Sequence, residues 1–226
     1  MKTSIALTIG LLLSASASVI VAKDAPMFVW NRTTLGMVEA ASVGRGQQIA
    51  EEQKCAKCHG KIGVSEDEDS PNIAGQKAAY IAKQLADYKA EAREEKSMTK
   101  AARKLNPQDM ADLGAFYATQ KPEKAAGKVK KEPVLVSAGD EKRFLLPCGS
   151  CHGKKGEGFG HEVPALMGQK GTPFLDTVKA FKDEDRANDH YGRMRFIAAQ
   201  LTDDEIAGIV AYYRAPAAIA KKDKDD

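Results

Sequence analysis

The chain has 226 residues, of which 43% are hydrophobic, 29% are charged and only 6% are aromatic. Its formal net charge is +3, and no basic stripe interleaved with aromatic residues is present, which excludes nucleic acid as the natural partner. This length fits one large domain or two small ones. Two small domains would have thin cores, because small domains bury a smaller fraction of their surface. Such domains would need something further to fill their interiors.

Residues 1–22 have the layout of a secretory signal peptide, with an early lysine, an apolar run and then small residues. Ala15, Ser16 and Ala17 offer an Ala-x-Ala cleavage site, and Ala22 is a second candidate. The alternative is an uncleaved N-terminal anchor. Serines interrupt the apolar run, however, and a bilayer span needs about 20 apolar residues. We therefore predict that the segment is removed and that the protein is exported.

The rest of the chain contains two copies of one module. A Cys-x-x-Cys-His motif recurs 93 positions later, and after a short length difference the spacing between matching residues becomes 96. The first motif consists of Cys55, Cys58 and His59, and the second consists of Cys148, Cys151 and His152. We predict an N-terminal extension at residues 23–42, a first domain at 43–120, a lysine-rich linker at 121–136, a second domain at 137–215 and a charged tail at 216–226.

Each module is predicted to be mostly helical. A helix leads into each cysteine motif, with residues 47–54 the first case, and another helix covers about residues 77–89, where apolar residues have the spacing of one buried face. A third helix begins at Asn106, a capping residue followed by Pro107 at the first helical position. Its counterpart begins at Thr202 in a capping box. Valine and isoleucine show no sustained alternation, so little or no sheet is expected.

The Cys-x-x-Cys-His motif has three interpretations. A dithiol redox motif requires a strand-rich αβ setting, which the pattern lacks, and it gives the histidine no purpose. A structural zinc site requires four ligands, so a zinc ion shared between the two modules stays open as an alternative. The third interpretation is covalent haem c, in which the thiols add to the two vinyl groups and the adjacent histidine becomes the proximal ligand. We predict two covalently bound haem c groups, which use all four cysteines.

Methionine is the first candidate for the sixth iron ligand. Met98 and Met194 fall at matching places of the two modules. The alternative is that each methionine only packs in the core, which is the usual role of a single methionine. His161 and His190 are the rival ligands. Each has a glutamate at the matching place of the first module, so only one module could use them.

With these residues, the chain resembles the two-haem class I cytochromes c of the cytochrome c4 type. The resemblance covers roughly residues 43–214 and includes the stretches "PNIAGQKAAYIAKQLADYK" and "RANDHYGRM". It implies an all-α fold of two tandem class I cytochrome c domains, each wrapped around a covalently attached haem, with the haem edges close together. It also implies that the carbonyl groups of Pro71 and Pro164 accept a hydrogen bond from the proximal imidazole.

The resemblance implies a periplasmic protein that passes single electrons and is not itself an enzyme. The expected partners are redox proteins such as a membrane quinol-oxidising complex, a terminal oxidase or a dehydrogenase, with peripheral membrane association as a further option. The alternatives are a cytochrome subunit of a larger periplasmic dehydrogenase, such as a flavoprotein, and a two-haem peroxidase-type enzyme. Residues 23–42 exceed the family pattern. We expect them to form a strap packed on the protein, and the alternative is a docking segment for a partner subunit.

Overall fold

The computed structural model describes residues 28–122 and 131–214. Within these ranges the chain is helical, and its extended pairings are two isolated bridges, Asp140 with Leu145 and Phe159 with Val163. The all-α prediction is therefore confirmed. Across the same residues, every helix is too short or too polar to span a bilayer. The predicted signal peptide, the charged tail and much of the linker lie outside the described residues.

The helices follow the order of the repeat. Residues 28–122 form α1 (Arg32–Glu39), α2 (Val43–Glu52), α3 (Ala56–His59), α4 (Ala78–Lys89), α5 (Lys96–Ala102) and α6 (Pro107–Ala118). Residues 131–214 form α7 (Val134–Ser137), α8 (Cys148–His152), α9 (Gly171–Lys182), α10 (Arg193–Ala199) and α11 (Asp203–Arg214), with 3₁₀ turns at Glu141–Arg143 and His190–Gly192. Helices α4 and α9 match at the spacing of 93, and α6 and α11 match at the spacing of 96.

The predicted caps of the closing helices are present in both modules. Asn106 Oδ1 accepts a hydrogen bond from Asp109 N at 2.9 Å, and Asp109 Oδ2 accepts one from Asn106 N at 3.0 Å. Thr202 Oγ1 accepts from Glu205 N at 3.2 Å, and Glu205 Oε2 accepts from Thr202 N at 2.9 Å. Each cap satisfies backbone N–H groups that a helix start leaves unpaired, an effect of about 1 kcal/mol.

The segment that leads into the second cysteine motif differs from the prediction. In the first module α2 ends shortly before Cys55, as expected. In the second module α7 has only four residues and is followed by a 3₁₀ turn. Gly139 adopts a φ of +73° and Pro147 directly precedes Cys148, and both residues prevent a continuous helix. The prediction of a helix before each motif is wrong for the second module.

Each module has its own hydrophobic core between its long helices. In the first module α6 packs against α2 and α4. The approach of α2 to α6 requires Gly46, because a Cβ atom at that position would lie 2.0 Å from the carbonyl oxygen of Asp112. The two cores include Ile49, Ile81, Leu85, Met110, Leu113 and Tyr117 in the first module and Phe174, Val178, Phe181, Ile206, Ile209 and Tyr213 in the second.

Residues 28–42, called the strap below, pack against the protein. Helix α1 contacts α6 and α4 of the first module. Ser42 N donates to Asp112 Oδ1 at 2.9 Å, and Gln108 Nε2 donates to the carbonyl oxygen of Met37 at 3.3 Å. At its N-terminal end the strap reaches the second module, where the Trp30 and His161 rings have centroids 5.4 Å apart. The described part of the extension therefore packs as the predicted strap.

A buried polar network joins α4 of the first module to the segment before α10 of the second. Lys83 Nζ donates to the carboxylate of Asp87 and, at 2.8 Å, to the carbonyl oxygen of Asn188. Asn188 Nδ2 donates to Asp87 Oδ2 at 2.6 Å and to Gln84 Oε1 at 3.0 Å, and Arg186 Nη2 donates to the same Gln84 oxygen at 2.9 Å. The side chains of Lys83 and Asp87 are 3% and 0% exposed. The two modules are therefore joined by specific, desolvated contacts.

Candidate functional site: the two cysteine–histidine turns

The first motif forms a single helical turn. His59 N donates to the carbonyl oxygen of Cys55 at 3.1 Å, and α3 ends at Gly60, whose φ is +74°. A Cβ atom at Gly60 would lie 1.9 Å from the carbonyl oxygen of Val64, so a residue without a side chain is required there. Cys55 is half-buried, Cys58 is exposed and neither forms a disulfide bond. The turn thus presents two free thiols and one imidazole within five residues.

The second motif has the same local structure. Helix α8 covers Cys148–His152 and ends at Gly153, whose φ is +78°. Cys148 is half-buried and Cys151 is exposed, as are their counterparts in the first motif. The shared geometry follows from the repeated sequence, because both motifs place the helix end at a glycine directly after the histidine.

Both motif histidines are oriented by a proline carbonyl group. His59 Nδ1 lies 2.9 Å from the carbonyl oxygen of Pro71, and His152 Nδ1 lies 3.1 Å from that of Pro164. A carbonyl oxygen only accepts hydrogen bonds, so Nδ1 carries the proton and Nε2 has the free lone pair. Burial lowers the pKa of both histidines, and the carbonyl contacts partly oppose this shift. Each imidazole is therefore a neutral donor with a fixed tautomer, which suits a metal ligand.

The half-buried thiols do not resemble those of a redox or zinc site. Burial raises the pKa of Cys55 and of Cys148 above its ordinary value. A reactive dithiol or a zinc ligand needs an environment that favours the thiolate. Among the described residues, no group of three or more histidine, cysteine, aspartate or glutamate side chains converges to bind a metal ion. The shared zinc site that the sequence left open is therefore not formed by these residues.

The donor set fits covalent haem c. Each module offers two thiols separated by two residues, together with an adjacent imidazole whose Nδ1 is already committed and whose Nε2 is free. These groups suffice for two thioether bonds and one proximal ligand. Cys55, Cys58 and His59 would bind the first haem, and Cys148, Cys151 and His152 the second.

The candidate methionine ligands lie against the same cores as the motif cysteines. Met98 and Cys55 both contact the core of the first module, and Met194 and Cys148 both contact that of the second. Met98 lies in the short helix α5, and Met194 lies in the short helix α10. Glu95 caps helix α5, and its carboxylate accepts hydrogen bonds from the backbone N–H groups of Ser97, at 3.1 Å, and Met98, at 2.7 Å.

The two rival histidines have other neighbours. The His161 ring packs against Trp30 in the strap. His190 Nε2 lies 3.3 Å from Glu162 Oε1, and the His190 side chain is only 12% exposed. Desolvation lowers the pKa of His190, and the charge of Glu162 opposes that shift. These contacts give each histidine a structural explanation that does not involve iron.

The loops that contain Pro71 and Pro164 meet at the boundary between the modules. Gln76 Nε2 donates to the carbonyl oxygen of Ala165 at 2.9 Å, and Gln76 Oε1 accepts from Ala165 N at 2.8 Å. Asn72 Nδ2 donates to the carbonyl oxygen of Gly168 at 2.8 Å. Gln76 lies in one of the stretches that carry the family resemblance, but the sequence did not predict that it would bridge the domains.

Comparisons with known proteins agree with this geometry. The family model described as Cytochrome c matches residues 43–121 and 141–215. The chain is 36% identical over 184 residues to cytochrome c4 of Thiocapsa roseopersicina, an alignment that covers 77% of this chain and 95% of that protein. It is 29% identical over 175 residues to a thiosulfate dehydrogenase electron acceptor of Thiomonas intermedia, covering 73% and 79% of the two chains. The crystal structure of reduced cytochrome c4 from Pseudomonas stutzeri matches with a TM-score of 0.70 and 27% identity, over 79% of this chain and 100% of that one.

Proposed function

Because the chain belongs to the cytochrome c family, as a two-haem electron carrier of the cytochrome c4 type, we propose that it works in the periplasm with one histidine and one methionine ligand at each iron. A bound haem c supplies one-electron chemistry, since its iron alternates between the ferrous and ferric states. The polypeptide attaches the two groups, fixes their axial ligands and sets the contact between the two domains.

The observation that carries this proposal is the repeated hydrogen bond from Nδ1 of the motif histidine to a proline carbonyl group. This bond directs Nε2 of His59 and of His152 away from the loop, as an axial ligand requires. It also makes the imidazole more basic, which strengthens its donation to a metal. We assign Pro71 and Pro164 this role, and the cysteines of each motif the covalent attachment.

Met98 and Met194 are the proposed sixth ligands. They occupy matching places in the repeat and lie against the cores that the motif cysteines contact. A thioether is a soft, neutral donor that favours ferrous iron and raises the reduction potential relative to a second imidazole. If His59 and Met98 held the first iron and His152 and Met194 the second, neither iron would have an open position for a substrate, and this favours a carrier over a peroxidase.

The proposed boundaries are a signal peptide at 1–22, the extension at 23–42, a first domain at 43–120, the linker at 121–136, a second domain at 137–215 and a tail at 216–226. The family match over 43–121 and 141–215 supports the two domains. The periplasmic location rests on the export pattern of the first 22 residues and on the cytochrome c4 resemblance.

Conservative changes of the methionines test the ligand assignment. Leucine approximates the volume of methionine but cannot ligate iron, so Met98→Leu and Met194→Leu should each remove the weak far-red methionine-to-ferric-iron band of one haem. The double variant should lose the band completely. Met110→Leu is the matched control, because Met110 is a core residue of 3% exposure and should retain the full band. A full-strength band in either Met98→Leu or Met194→Leu would show that the assignment is wrong.

Among the expected partners, a dehydrogenase has specific support. The chain is similar to a thiosulfate dehydrogenase electron acceptor of Thiomonas intermedia. We therefore propose a periplasmic dehydrogenase as the electron donor, ahead of a quinol-oxidising complex. Stopped-flow mixing of the oxidised holoprotein with a thiosulfate dehydrogenase and thiosulfate should reduce both haems within the turnover time of the enzyme. Omission of thiosulfate provides the control, and reduction no faster than in that control would contradict the proposal.

A further inference from the structure

The strap contacts both domains. Its helix α1 packs on α6 and α4 of the first domain, where Gln108 and Asp112 bind its backbone. Its N-terminal end leaves the first domain and reaches a loop of the second, so this one segment crosses the domain boundary.

The contact with the second domain is a small aromatic cluster. The Phe28 and Trp30 rings meet edge to face with centroids 4.8 Å apart, and the Trp30 ring lies 5.4 Å from the His161 ring at an interplanar angle of 38°. The Trp30 indole N–H is buried and has no hydrogen-bond partner among the described residues. A buried donor without a partner costs roughly 1–3 kcal/mol. Ring packing, worth about 0.5–1.5 kcal/mol per aromatic pair, must therefore account for the position of Trp30.

The loop that Trp30 contacts belongs to the second haem site. Phe159 and Val163 exchange backbone hydrogen bonds of 3.2 and 3.3 Å, which form a narrow loop with His161 at its tip. The next residue after this loop is Pro164, whose carbonyl group binds His152 Nδ1. His161 is thus only three residues from Pro164, whose carbonyl group orients the proximal ligand.

Among the described residues, the first domain has no equivalent contact. Its residue at the place of His161 is Glu68, which pairs instead with Lys170 Nζ at 3.1 Å. An effect that is transmitted through the strap and His161 should therefore reach only one of the two haems.

We propose that Trp30 is a positioning residue for the second haem: by packing on His161 it stabilises the loop that holds the Pro164 carbonyl group against His152. This inference rests on the proposed roles of His152 and Pro164. Without Trp30 the loop is less constrained, and the hydrogen bond to Nδ1 becomes longer on average. The imidazole then becomes less basic, the ferric state loses stabilisation and the potential of the second haem rises.

The test is a redox titration of holoprotein variants. The Met194→Leu variant is titrated first, to assign the two measured potentials. The haem whose potential falls in this variant is the second haem. At the wild-type midpoint potential of that haem, Trp30→Ala should raise its ratio of reduced to oxidised form about two- to fivefold, a smaller effect than the direct loss of an outer partner of the ligand. Trp30→Phe, which keeps an aromatic ring, should restore most of the wild-type ratio. Val29→Ala is the matched control, because Val29 is the neighbouring residue and is 64% exposed.

A second variant tests whether Trp30 acts through His161. His161→Ala should reproduce the Trp30→Ala shift, and the double variant should add little to it, since two residues in one contact are not additive. His161 is exposed, so this variant also remains informative if Trp30→Ala folds poorly.

An unchanged second haem in both single variants, or an equal shift in both haems, would overturn the positioning role. So would fully additive effects in the double variant. The far-red band separates this result from the methionine assignment. If Trp30→Ala keeps the wild-type band and the potential of its second haem is unchanged, only the role of Trp30 is refuted.

Discussion

The buried ion pair between Lys83 and Asp87 provides a sharp test of how the two domains are joined. Asp87 is fully buried, and its Oδ2 accepts hydrogen bonds from Lys83 Nζ and from Asn188 Nδ2 of the other domain. In Asp87→Ala the Lys83 ammonium group, 3% exposed, keeps the carbonyl oxygen of Asn188 as its remaining hydrogen-bond partner among the described residues. Breaking a buried pair by removing one partner costs about 3–5 kcal/mol, because it leaves an uncompensated charge out of water.

This loss is large compared with the free energy of unfolding of an ordinary domain, which is about 5–15 kcal/mol. The assay is guanidinium denaturation of the holoprotein, followed by far-UV circular dichroism at neutral pH. Glu91→Ala is the matched control, since it removes a carboxylate from an exposed pair with Arg103 whose side chains are 45% and 62% exposed. Exposed pairs contribute about 0–1 kcal/mol, so the control should unfold close to the wild type.

The two variants must differ for the argument to stand. If Asp87→Ala loses no more stability than Glu91→Ala, the buried network does not stabilise the native state. Asp87→Asn, which keeps the shape and one acceptor oxygen, should fall between Asp87→Ala and the wild type. A variant in which the two domains unfold in separate transitions would further indicate that this network couples them.

Two other changes follow from the structure. Arg143 donates two hydrogen bonds to the Glu205 carboxylate and lowers the pKa of Glu205 from 4.5 to about 2. The pair therefore stabilises the fold above pH 4.5, and this contribution disappears as the pH falls towards 2. In urea titrations, Glu205→Gln should cost about 1 kcal/mol of unfolding free energy at pH 7 and almost nothing at pH 2. Gly46→Ala should lower the melting temperature, because the new Cβ atom would lie 2.0 Å from the carbonyl oxygen of Asp112 and overpacking costs about 1–3 kcal/mol. Gly36→Ala is the control. Its Cβ atom would meet no atom within 4 Å, so this change should stabilise α1 by up to about 1 kcal/mol.

Local features of the fold could be predicted because each depends on a few neighbouring residues. The two cysteine–histidine turns, the Asn106 cap and the Thr202 cap were all visible as short patterns, and the structure contains each of them. The fixed spacing between repeats also predicted that α9 would follow α4 and that α11 would follow α6. In these cases the local sequence and the tertiary fold favour the same structure.

Other features depend on contacts that the sequence does not display. Lys83 and Asp87 are four residues apart on α4, a spacing that usually indicates an exposed helical ion pair, yet both are buried and bind Asn188 of the second domain. His161 and His190 were considered as iron ligands, and only the folded chain shows that Trp30 and Glu162 lie beside them. The broken helix before Cys148 was overlooked, although Gly139 and Pro147 indicate it in the sequence.

The two modules also differ at the domain boundary. On α4 the first module has Lys83 and Asp87, whereas the matching positions of α9 have Asp176 and Ala180. The two cysteines and the histidine of each turn, in contrast, are the same in both copies. The two modules therefore share the attachment residues, while their facing surfaces are different and complementary. A desolvated network between unlike surfaces favours one relative orientation of the domains, because a shift would leave buried polar groups unpaired. For a protein that passes electrons between two bound groups, a single orientation means a single distance between them.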